Sequence, residues 1–170
     1  MSIFRVRIYG DQVLRQVARE VKEINGELAK LAESMLQTMK HNQAVGLAAN
    51  QVGELNRIFA LDASLQSPKF EPFVLINPEI VEVSGVQVGE EGCLSFPGIF
   101  EKIERPQRVT VKGLNLEGEE FQFEGEGVVA RAVLHELDHL NGKLIIDHVG
   151  SIRKQLISAR MRKISNRNPP

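Results

Sequence analysis

The chain has 170 residues, of which 42% are hydrophobic, with one cysteine and a formal net charge of −1. This length suits one domain with a sufficient core, and the near-neutral charge excludes a general preference for nucleic acid, so we expect no specific DNA partner. No apolar run reaches about 18 residues, and Arg5 and Arg7 interrupt the start of the chain, which argues against a membrane span and a signal peptide. A lone cysteine suits a reducing compartment, so we expect a cytoplasmic protein.

The first predicted element is a helix that Asn25 caps and that continues to about His41, because apolar residues recur at helical spacing: Leu28, Leu31, Ala32, Met35 and Met39. Short apolar runs then predict strands at 58–61, 73–76, 80–83, 109–111 and 121–123. Turn signals separate these runs, namely Asn77-Pro78, Ser84-Gly85 and Glu117-Gly118. The pattern predicts an α+β fold whose antiparallel β-sheets wrap around a central metal-binding helix.

That helix carries His135-Glu136-Leu137-Asp138-His139, the most informative segment of the chain. At 3.6 residues per turn, the two histidines lie about 40° apart on one face and Glu136 lies about 60° from His139. Such a helix can hold a metal ion between its imidazoles with a carboxylate beside it. The preceding run 128–134 is almost entirely apolar, so this helix should be buried, and Asn141-Gly142 should end it. The alternative is two histidines that share this spacing by coincidence.

The single cysteine, Cys93, lies between Glu90 and Gly98, in a segment with too many glycine and proline residues for a simple strand. Structural zinc sites usually have four protein ligands, whereas His135, His139 and Cys93 would leave one position open for water. An open position indicates catalysis. Alone, Cys93 would be interpreted as a small buried hydrophobic residue.

A third segment, Gly46 to Gly53, is small and apolar apart from Asn50 and Gln51. The three sequences Gly-Leu-Ala-Ala-x-Gln, Glu-Gly-Cys-Leu-Ser and His-Glu-x-Asp-His, in this order, resemble the signature motifs of the peptide deformylases. The similarity also covers Ile8 to Arg15 and extends to about Asp147.

The resemblance implies that Cys93, His135 and His139 bind the metal and that Glu136 acts as general base and acid. The implied metal is Fe²⁺ in cells, although Zn²⁺, Ni²⁺ and Co²⁺ suit the same imidazole and thiolate ligands. The implied reaction is hydrolysis of the formyl group from the N-formyl-methionine of nascent polypeptides, which releases formate. A bound metal would make hydroxide available near neutral pH.

The resemblance also implies that Gln51 and the backbone N–H of Leu94 donate hydrogen bonds to the oxyanion. An extended peptide could pair with a strand edge near Gly46 or Gly92 through main-chain hydrogen bonds. An apolar pocket would hold the methionine side chain, and the candidates for its wall are Val45, Leu94, Val128, Arg131 and Ala132.

Two positions depart from the family pattern. Ala44 replaces the glycine that usually begins the first motif, so the loop that enters the cleft could be shifted, while the chemistry should survive. Leu134 stands where many relatives have glutamine, and its side chain should face away from the site.

The segment 151–170 carries six cationic and no acidic residues: Arg153, Lys154, Arg160, Arg162, Lys163 and Arg167. Its apolar residues could form one stripe of an amphipathic helix: Ile152, Leu156, Ala159 and Ile164. This helix could simply pack on the body, or it could dock on ribosomal RNA near the nascent-chain exit. We therefore divide the chain into a catalytic domain, 1–150, and a basic carboxy-terminal helix, 151–170.

Two other functions fit part of the pattern. A zinc endopeptidase would share His-Glu-x-x-His, but metzincin-type proteases place a third histidine downstream, and here Asn141-Gly142 is followed by His148 too soon. A non-catalytic ribosome-binding module with a structural metal would require neither Glu136 nor Gln51.

Overall fold

The computed structural model describes residues 2–167. The strands of this part of the chain are β1 (Gly46–Ala48), β2 (Ile58–Leu61), β3 (Phe73–Ser84), β4 (Gln87–Gly92), β5 (Phe100–Arg105), β6 (Arg108–Leu114) and β7 (Glu120–Glu126). The helices are α1 (Gly26–His41), α2 (Gly127–Leu140) and α3 (Ser151–Arg167), and short 3₁₀ turns cover Gln12–Arg15, Ala49–Val52 and Ile145–His148. No helix within residues 2–167 has the length and apolar character needed to cross a membrane.

The strands form two antiparallel sheets, which confirms the predicted α+β class. Five strands pair in the order β1-β2-β3-β6-β7, and β4 pairs with β5 in a separate hairpin. Successive side chains of β2 point to opposite faces, so Ile58 and Ala60 pack in the cluster of α1 while Phe59 and Leu61 pack in the cluster of α2. Because helices cover both faces, all four residues of β2 are buried.

Helix α1 begins where the sequence predicts. The Asn25 side chain accepts hydrogen bonds from the backbone N–H groups of Glu27 and Leu28, at 3.1 and 3.0 Å, and so satisfies two of the free donors at the helix start. The apolar stripe lies against the sheet, with Leu28, Ala32, Met35 and Met39 buried.

Helix α2 lies between the five-stranded sheet and the β4–β5 hairpin. Val133, Leu134 and Leu137 pack in the core cluster that contains Phe59 of the sheet, so Leu134 does face the core. Towards the hairpin, Arg131 donates a hydrogen bond to the carbonyl of Ile103, at 2.8 Å. This position brings the histidines of α2 close to the end of β4.

The sequence-based prediction of a turn at Asn77-Pro78 is wrong, since β3 is continuous from Phe73 to Ser84. The residues that signal a turn instead produce an irregularity, where the pairing with β6 shifts between Ile76 and Glu79. Asn77 has φ 52°, and its side chain pairs with the N–H and C=O of Val21, both at 2.8 Å. The β4–β5 hairpin was not predicted.

Helix α3 is present, but its predicted apolar stripe is wrong in part. Ile152 and Leu156 are 76% and 58% exposed, and the buried residues are Ile157 and Met161. These two pack with Leu14, Phe96 and the 3₁₀ turn at 145–148, and Ile164 lies at the margin of the same cluster. The contact with this cluster therefore determines which face of α3 is buried. Residues 168–170 of the predicted tail lie outside the described residues.

Candidate active site

The two histidines of α2 and the cysteine that follows β4 meet at one point. Nε2 of His139 lies 3.1 Å from Nε2 of His135 and 3.3 Å from Sγ of Cys93. One ligand atom from each residue lies within 4.8 Å of the others, and both histidines are buried. Burial lowers the pKa of His139 well below its usual value, so His139 is neutral.

These residues fit a metal ion. Ligand atoms of a tetrahedral zinc site lie about 3.3 Å apart for two nitrogens and about 3.5 Å apart for nitrogen and sulfur, given metal–ligand distances of about 2.0 and 2.3 Å. The observed separations of 3.1 and 3.3 Å are close to these values. Three protein donors leave further positions of the ion for water or substrate.

Glu136 lies beside this group without belonging to it. Its side chain is 3% exposed, and burial raises the pKa of Glu136 to about 7. Its carboxylate packs against β1 so closely that a Cβ on Gly46 would lie 2.5 Å from Oε1. Within the described residues, the other oxygen, Oε2, is buried and has no hydrogen-bond partner. A buried carboxylate with a pKa near neutrality can accept and release a proton.

Gln51 follows β1 in the 3₁₀ turn and points its amide nitrogen into the site. Its Oε1 accepts a hydrogen bond from the N–H of Ala48 at 3.0 Å. Its Nε2 donates to Oγ of Ser95 at 3.3 Å and to Sγ of Cys93 at 3.6 Å. The Ala48 contact fixes the orientation of the amide, so its N–H groups face the cysteine.

The amino-terminal segment forms hydrogen bonds to both the turn that contains Gln51 and the loop that contains Ser95. The N–H of Arg7 donates to the carbonyl of Gln51 at 2.7 Å, and the N–H of Tyr9 donates to the carbonyl of Ser95 at 2.8 Å. Sequence analysis singled out Ile8 to Arg15 by resemblance but assigned no role to the backbone of this segment.

A cleft of about 580 Å³ opens onto the group. Every predicted substrate-contacting residue lines it, and so do predicted chemical residues: Val45, Gly46, Gln51, Gly92, Cys93, Leu94, Val128, Arg131, Ala132, His135 and Glu136. Ala44, Ile99 and Phe100 also line it, and the last two were not predicted. A larger cavity of about 970 Å³ lies elsewhere, between residues 5–11 and the end of α3, and contains none of the residues of this group.

Sequence reasoning also overlooked a buried polar cluster behind His135. Glu91 of β4 accepts hydrogen bonds from Nδ1 of His135 at 2.8 Å, from Nε and Nη2 of Arg105 at 3.0 Å each, and from Nη1 of Arg131 at 2.9 Å. Burial alone would raise the pKa of Glu91, but the bonds from His135 and Arg105 outweigh it and lower the pKa to about 2. Arg105 also pairs with Asp138 at 2.7 Å. The guanidinium of Arg131, expected only in the pocket wall, is therefore largely engaged by Glu91.

The one available signal for this cluster was the acidic residue Glu91, two positions before the cysteine.

An antiparallel α+β fold in which a cysteine and two histidines converge beside a buried glutamate defines a hydrolytic metalloenzyme of the His-Glu-x-x-His type.

Comparison with known proteins narrows this class. A family model described as polypeptide deformylase matches residues 3–155, and the chain belongs to this family. A peptide deformylase of Clostridium botulinum is 50% identical over 147 residues, which are 86% of this chain and 97% of the relative.

Solved structures agree. A peptide deformylase from Legionella pneumophila superimposes with a TM-score of 0.90 at 35% identity, over 99% of this chain and 100% of that chain. The peptide deformylase from Ehrlichia chaffeensis in complex with actinonin gives a TM-score of 0.90 at 33% identity, over the full length of both chains.

Proposed function

We propose that this protein is a peptide deformylase that hydrolyses the formyl group of N-formyl-methionine at the start of nascent polypeptides, with formate and a free amino terminus as products. The observation that carries the proposal is the meeting of Cys93, His135 and His139 at a cleft that Cys93 and His135 line together with Glu136 and Gln51. Membership of the polypeptide deformylase family supports the same reaction.

In this proposal, α2 is the central metal-binding helix, and Cys93, His135 and His139 hold the ion. When bound, the metal supplies Lewis-acid activation of water and of the formyl oxygen. Fe²⁺ is the proposed ion in cells, with Zn²⁺, Ni²⁺ or Co²⁺ as substitutes, because imidazole and thiolate suit all four. The close N···N and N···S separations support a single ion.

Glu136 handles the proton. It takes the proton from the water whose oxygen attacks the formyl carbon, and it then gives this proton to the amine nitrogen as the C–N bond breaks. A pKa of about 7 suits both directions, because a group that titrates near the working pH can accept and donate at comparable cost. The close contact with Gly46 limits movement of the carboxylate towards β1.

Gln51 stabilises the negative charge that develops on the formyl oxygen, together with the backbone N–H of Leu94. The amide of Gln51 is already oriented by Ala48 and Ser95, so little reorganisation is needed when the charge appears. Its long 3.6 Å contact with Cys93 is weak, which leaves this N–H available to substrate.

The peptide binds in extended form across the cleft. β1 and β4 are edge strands, and they carry Gly46 and Gly92 respectively. Main-chain pairing with such an edge depends little on side-chain sequence, which suits an enzyme that acts on many nascent chains. Val45, Leu94, Val128 and Ala132, with the stem of Arg131, form the proposed wall of the methionine pocket.

The test measures formate release from an N-formyl-methionyl dipeptide, with the N-acetyl dipeptide and an unmodified longer peptide as controls. We expect rapid release from the formyl substrate alone. Cleavage of internal peptide bonds would favour the endopeptidase alternative, and no turnover by metal-loaded protein would favour the non-catalytic module. Inhibition by actinonin, which is bound in the Ehrlichia chaffeensis structure, is also expected.

We further propose that the basic helix α3 docks on ribosomal RNA in the cytoplasm. Arg153 and Lys154 are paired with Glu101 and Asp147 of the body. The remaining cations of α3 form no ion pair within residues 2–167, and two of them, Arg162 and Arg167, face the large cavity near the amino-terminal segment. Phosphate groups are the chemistry that such a surface attracts. We also propose that residues 1–150 make up the catalytic domain and that residues 151–170 form a basic carboxy-terminal helix.

A further inference from the structure

We propose that the cavity of about 970 Å³ between residues 5–11 and the end of α3 binds a small organic phosphate, a molecule of nucleotide size that carries at least two negative charges. This cavity lies outside the proposed active site, so binding there does not depend on the deformylase reaction. The proposal also differs from docking of α3 on ribosomal RNA, because it assigns one small molecule to one defined cavity.

The charged side chains that line the cavity are mostly positive. Two arginines come from the amino-terminal segment and two from α3: Arg5, Arg7, Arg162 and Arg167. Among the described residues of the lining, Asp11 is the single carboxylate, and it lies 3.6 Å from Arg7. The whole chain has a net charge of −1, so this excess of three positive charges is a local feature. A ligand with several negative charges complements it.

The kind of cation favours phosphate groups. All four cationic side chains of the lining are arginines. A guanidinium group offers parallel N–H donors in a planar fork, which match two oxygens of a phosphate group and add direction to the attraction of opposite charges. The arginines are divided between two walls of the cavity, so a ligand with two phosphate groups can contact both walls.

The rest of the lining suits the organic part of such a ligand. Its apolar and aromatic members are Val6, Ile8, Tyr9, Pro97 and Ile164. All of these except Pro97 are half-buried, so they form an apolar wall beneath the exposed arginines. A volume of about 970 Å³ is at the upper end of the usual range for small-molecule sites. The cavity is therefore larger and more apolar than an inorganic ion requires.

Contacts between the two walls hold the cavity in shape. The hydroxyl groups of Tyr9 and Ser158 lie 3.5 Å apart, and the ring of Tyr9 stacks on Phe96 with the ring centroids 5.0 Å apart. Phe96 in turn packs in the cluster that contains the buried face of α3. Further along, a Cβ on Gly10 would lie 4.0 Å from Oγ of Ser165. Because the walls already contact each other, a ligand has little chain to order when it binds.

The cavity and the proposed active-site cleft are neighbours with separate openings. Among the described residues, Pro97 is the only one that lines both of them. A ligand in the cavity therefore lies beside the cleft and does not enter it. We expect that such a ligand does not compete with a formyl dipeptide.

The experiment titrates the zinc-loaded protein with adenosine 3′,5′-bisphosphate in a low-salt buffer and measures the heat of binding. We expect one bisphosphate per chain with a Kd below about 1 mM, and a lower affinity at higher salt concentration. Adenosine, which lacks the phosphate groups, should show no saturable binding. Inorganic phosphate, which lacks the organic part, should bind at least about 10-fold more weakly than the bisphosphate.

Two variants of α3 form a matched pair. Arg162→Gln removes a cation from the cavity, whereas Lys163→Gln removes a cation from the next position, which does not line it. Both side chains are exposed, so both variants should fold. We expect Arg162→Gln to weaken binding of the bisphosphate about 10-fold and Lys163→Gln to match wild type. Equal losses in the two variants would indicate general attraction to a positive surface and would overturn the proposal.

Two further measurements locate the ligand. In ¹⁵N-labelled, zinc-loaded protein, the bisphosphate should shift amide signals of residues 5–11 and 162–167, and it should not raise KM for the formyl dipeptide. Shifts confined to the cleft, or a rise in KM, would place the ligand in the cleft and overturn the proposal. The absence of saturable binding below about 1 mM would do the same. If a single-stranded RNA oligonucleotide bound and the bisphosphate did not, these arginines would serve RNA alone, and the proposal would be wrong.

Discussion

The contact between Gly46 and Glu136 gives the sharpest test of the proposed chemistry. In Gly46→Ala, the new Cβ would lie 2.5 Å from Oε1, 2.8 Å from Cγ and 2.9 Å from Cδ of Glu136. Ordinary contact begins near 3.4 Å, so the buried carboxylate has to retreat by nearly 1 Å. Gly46 is not among the glycines with positive φ, so alanine suits its backbone and the effect comes from this contact alone.

A misplacement of about 1 Å at a reacting group costs about 10²-fold in rate, and we expect a loss of this size in kcat/KM for the formyl dipeptide. Overpacking should also lower stability by about 1–3 kcal/mol, which thermal unfolding detects as a fall of several degrees in Tm. Zinc content should not change, because the three nearest atoms to the new Cβ all belong to Glu136 and none to a metal ligand.

The matched control is Gly26→Ala at the start of α1, where a Cβ meets nothing within 4 Å. It should have wild-type activity and equal or higher stability. If Gly46→Ala retained wild-type kcat/KM, the close packing of Glu136 would have no part in catalysis. If it lost its zinc, the fault would lie with the metal site and not with the base.

Other predictions follow from single contacts. Glu136→Gln should keep its zinc, measured by elemental analysis, and lose about 10²–10⁴-fold in turnover; loss of the metal would contradict its role as base. Gln51→Ala should lower kcat by about 10²–10³-fold with little change in KM, and an unchanged kcat would remove it from the mechanism. Burial alone would raise the pKa of Asp147, but hydrogen bonds from Arg15 outweigh burial and lower this pKa. The ionised Asp147 should therefore stabilise the fold at neutral pH, and this contribution should disappear as the pH falls through the lowered pKa. Urea unfolding of Asp147→Asn should accordingly show a smaller loss of stability in acid than the wild-type protein does. Arg162→Glu with Lys163→Glu should weaken ribosome pelleting and flatten its salt dependence without affecting dipeptide turnover, and unchanged pelleting would refute docking.

The tail prediction uses substitutions because truncation after Gly150 would remove more than charge. Ile157 and Met161 are buried in the core cluster of Phe96, so a truncated protein would lose apolar contacts of the body. Burying side chains of this size contributes about 1.5–3 kcal/mol each, and unfolding would be mistaken for loss of docking.

The proposed metal ligands and base could be predicted because their relative positions are set within short segments of the chain. Within one helix, the 3.6-residue period places His135 and His139 on one face and Glu136 beside them, whatever surrounds the helix. The motif around Cys93 could be joined to that helix by resemblance. In the structure, Cys93, His135 and Glu136 line one cleft.

The buried polar cluster around Glu91 could not be predicted, because it depends on which distant segments meet. No local sequence pattern predicts that Arg105 of β5 and His135 of α2 both contact the carboxylate of Glu91. Asn77-Pro78 is a typical turn sequence, but β3 pairs with β6 both before and after it. The result is an irregularity within β3 and not a turn. In α3, the pairs Ile152–Leu156 and Ile157–Met161 have the same helical spacing, and only contact with the body selects the second pair.

The two backbone bonds of the amino-terminal segment bear on the order in which the protein can assemble. Arg7 and Tyr9 are made before their hydrogen-bond partners, Gln51 and Ser95, which follow much later along the chain. Closing such long loops is slow compared with forming a helix or a hairpin. The proposed oxyanion donors, Gln51 and the backbone N–H of Leu94, should therefore reach their final positions late in synthesis. An early nascent chain would expose this extended segment without its partners. Inserting a bulky domain close to Arg7 or Tyr9 is consequently a less favourable design than inserting one elsewhere on the surface, because these two residues hold Gln51 and Ser95 in place.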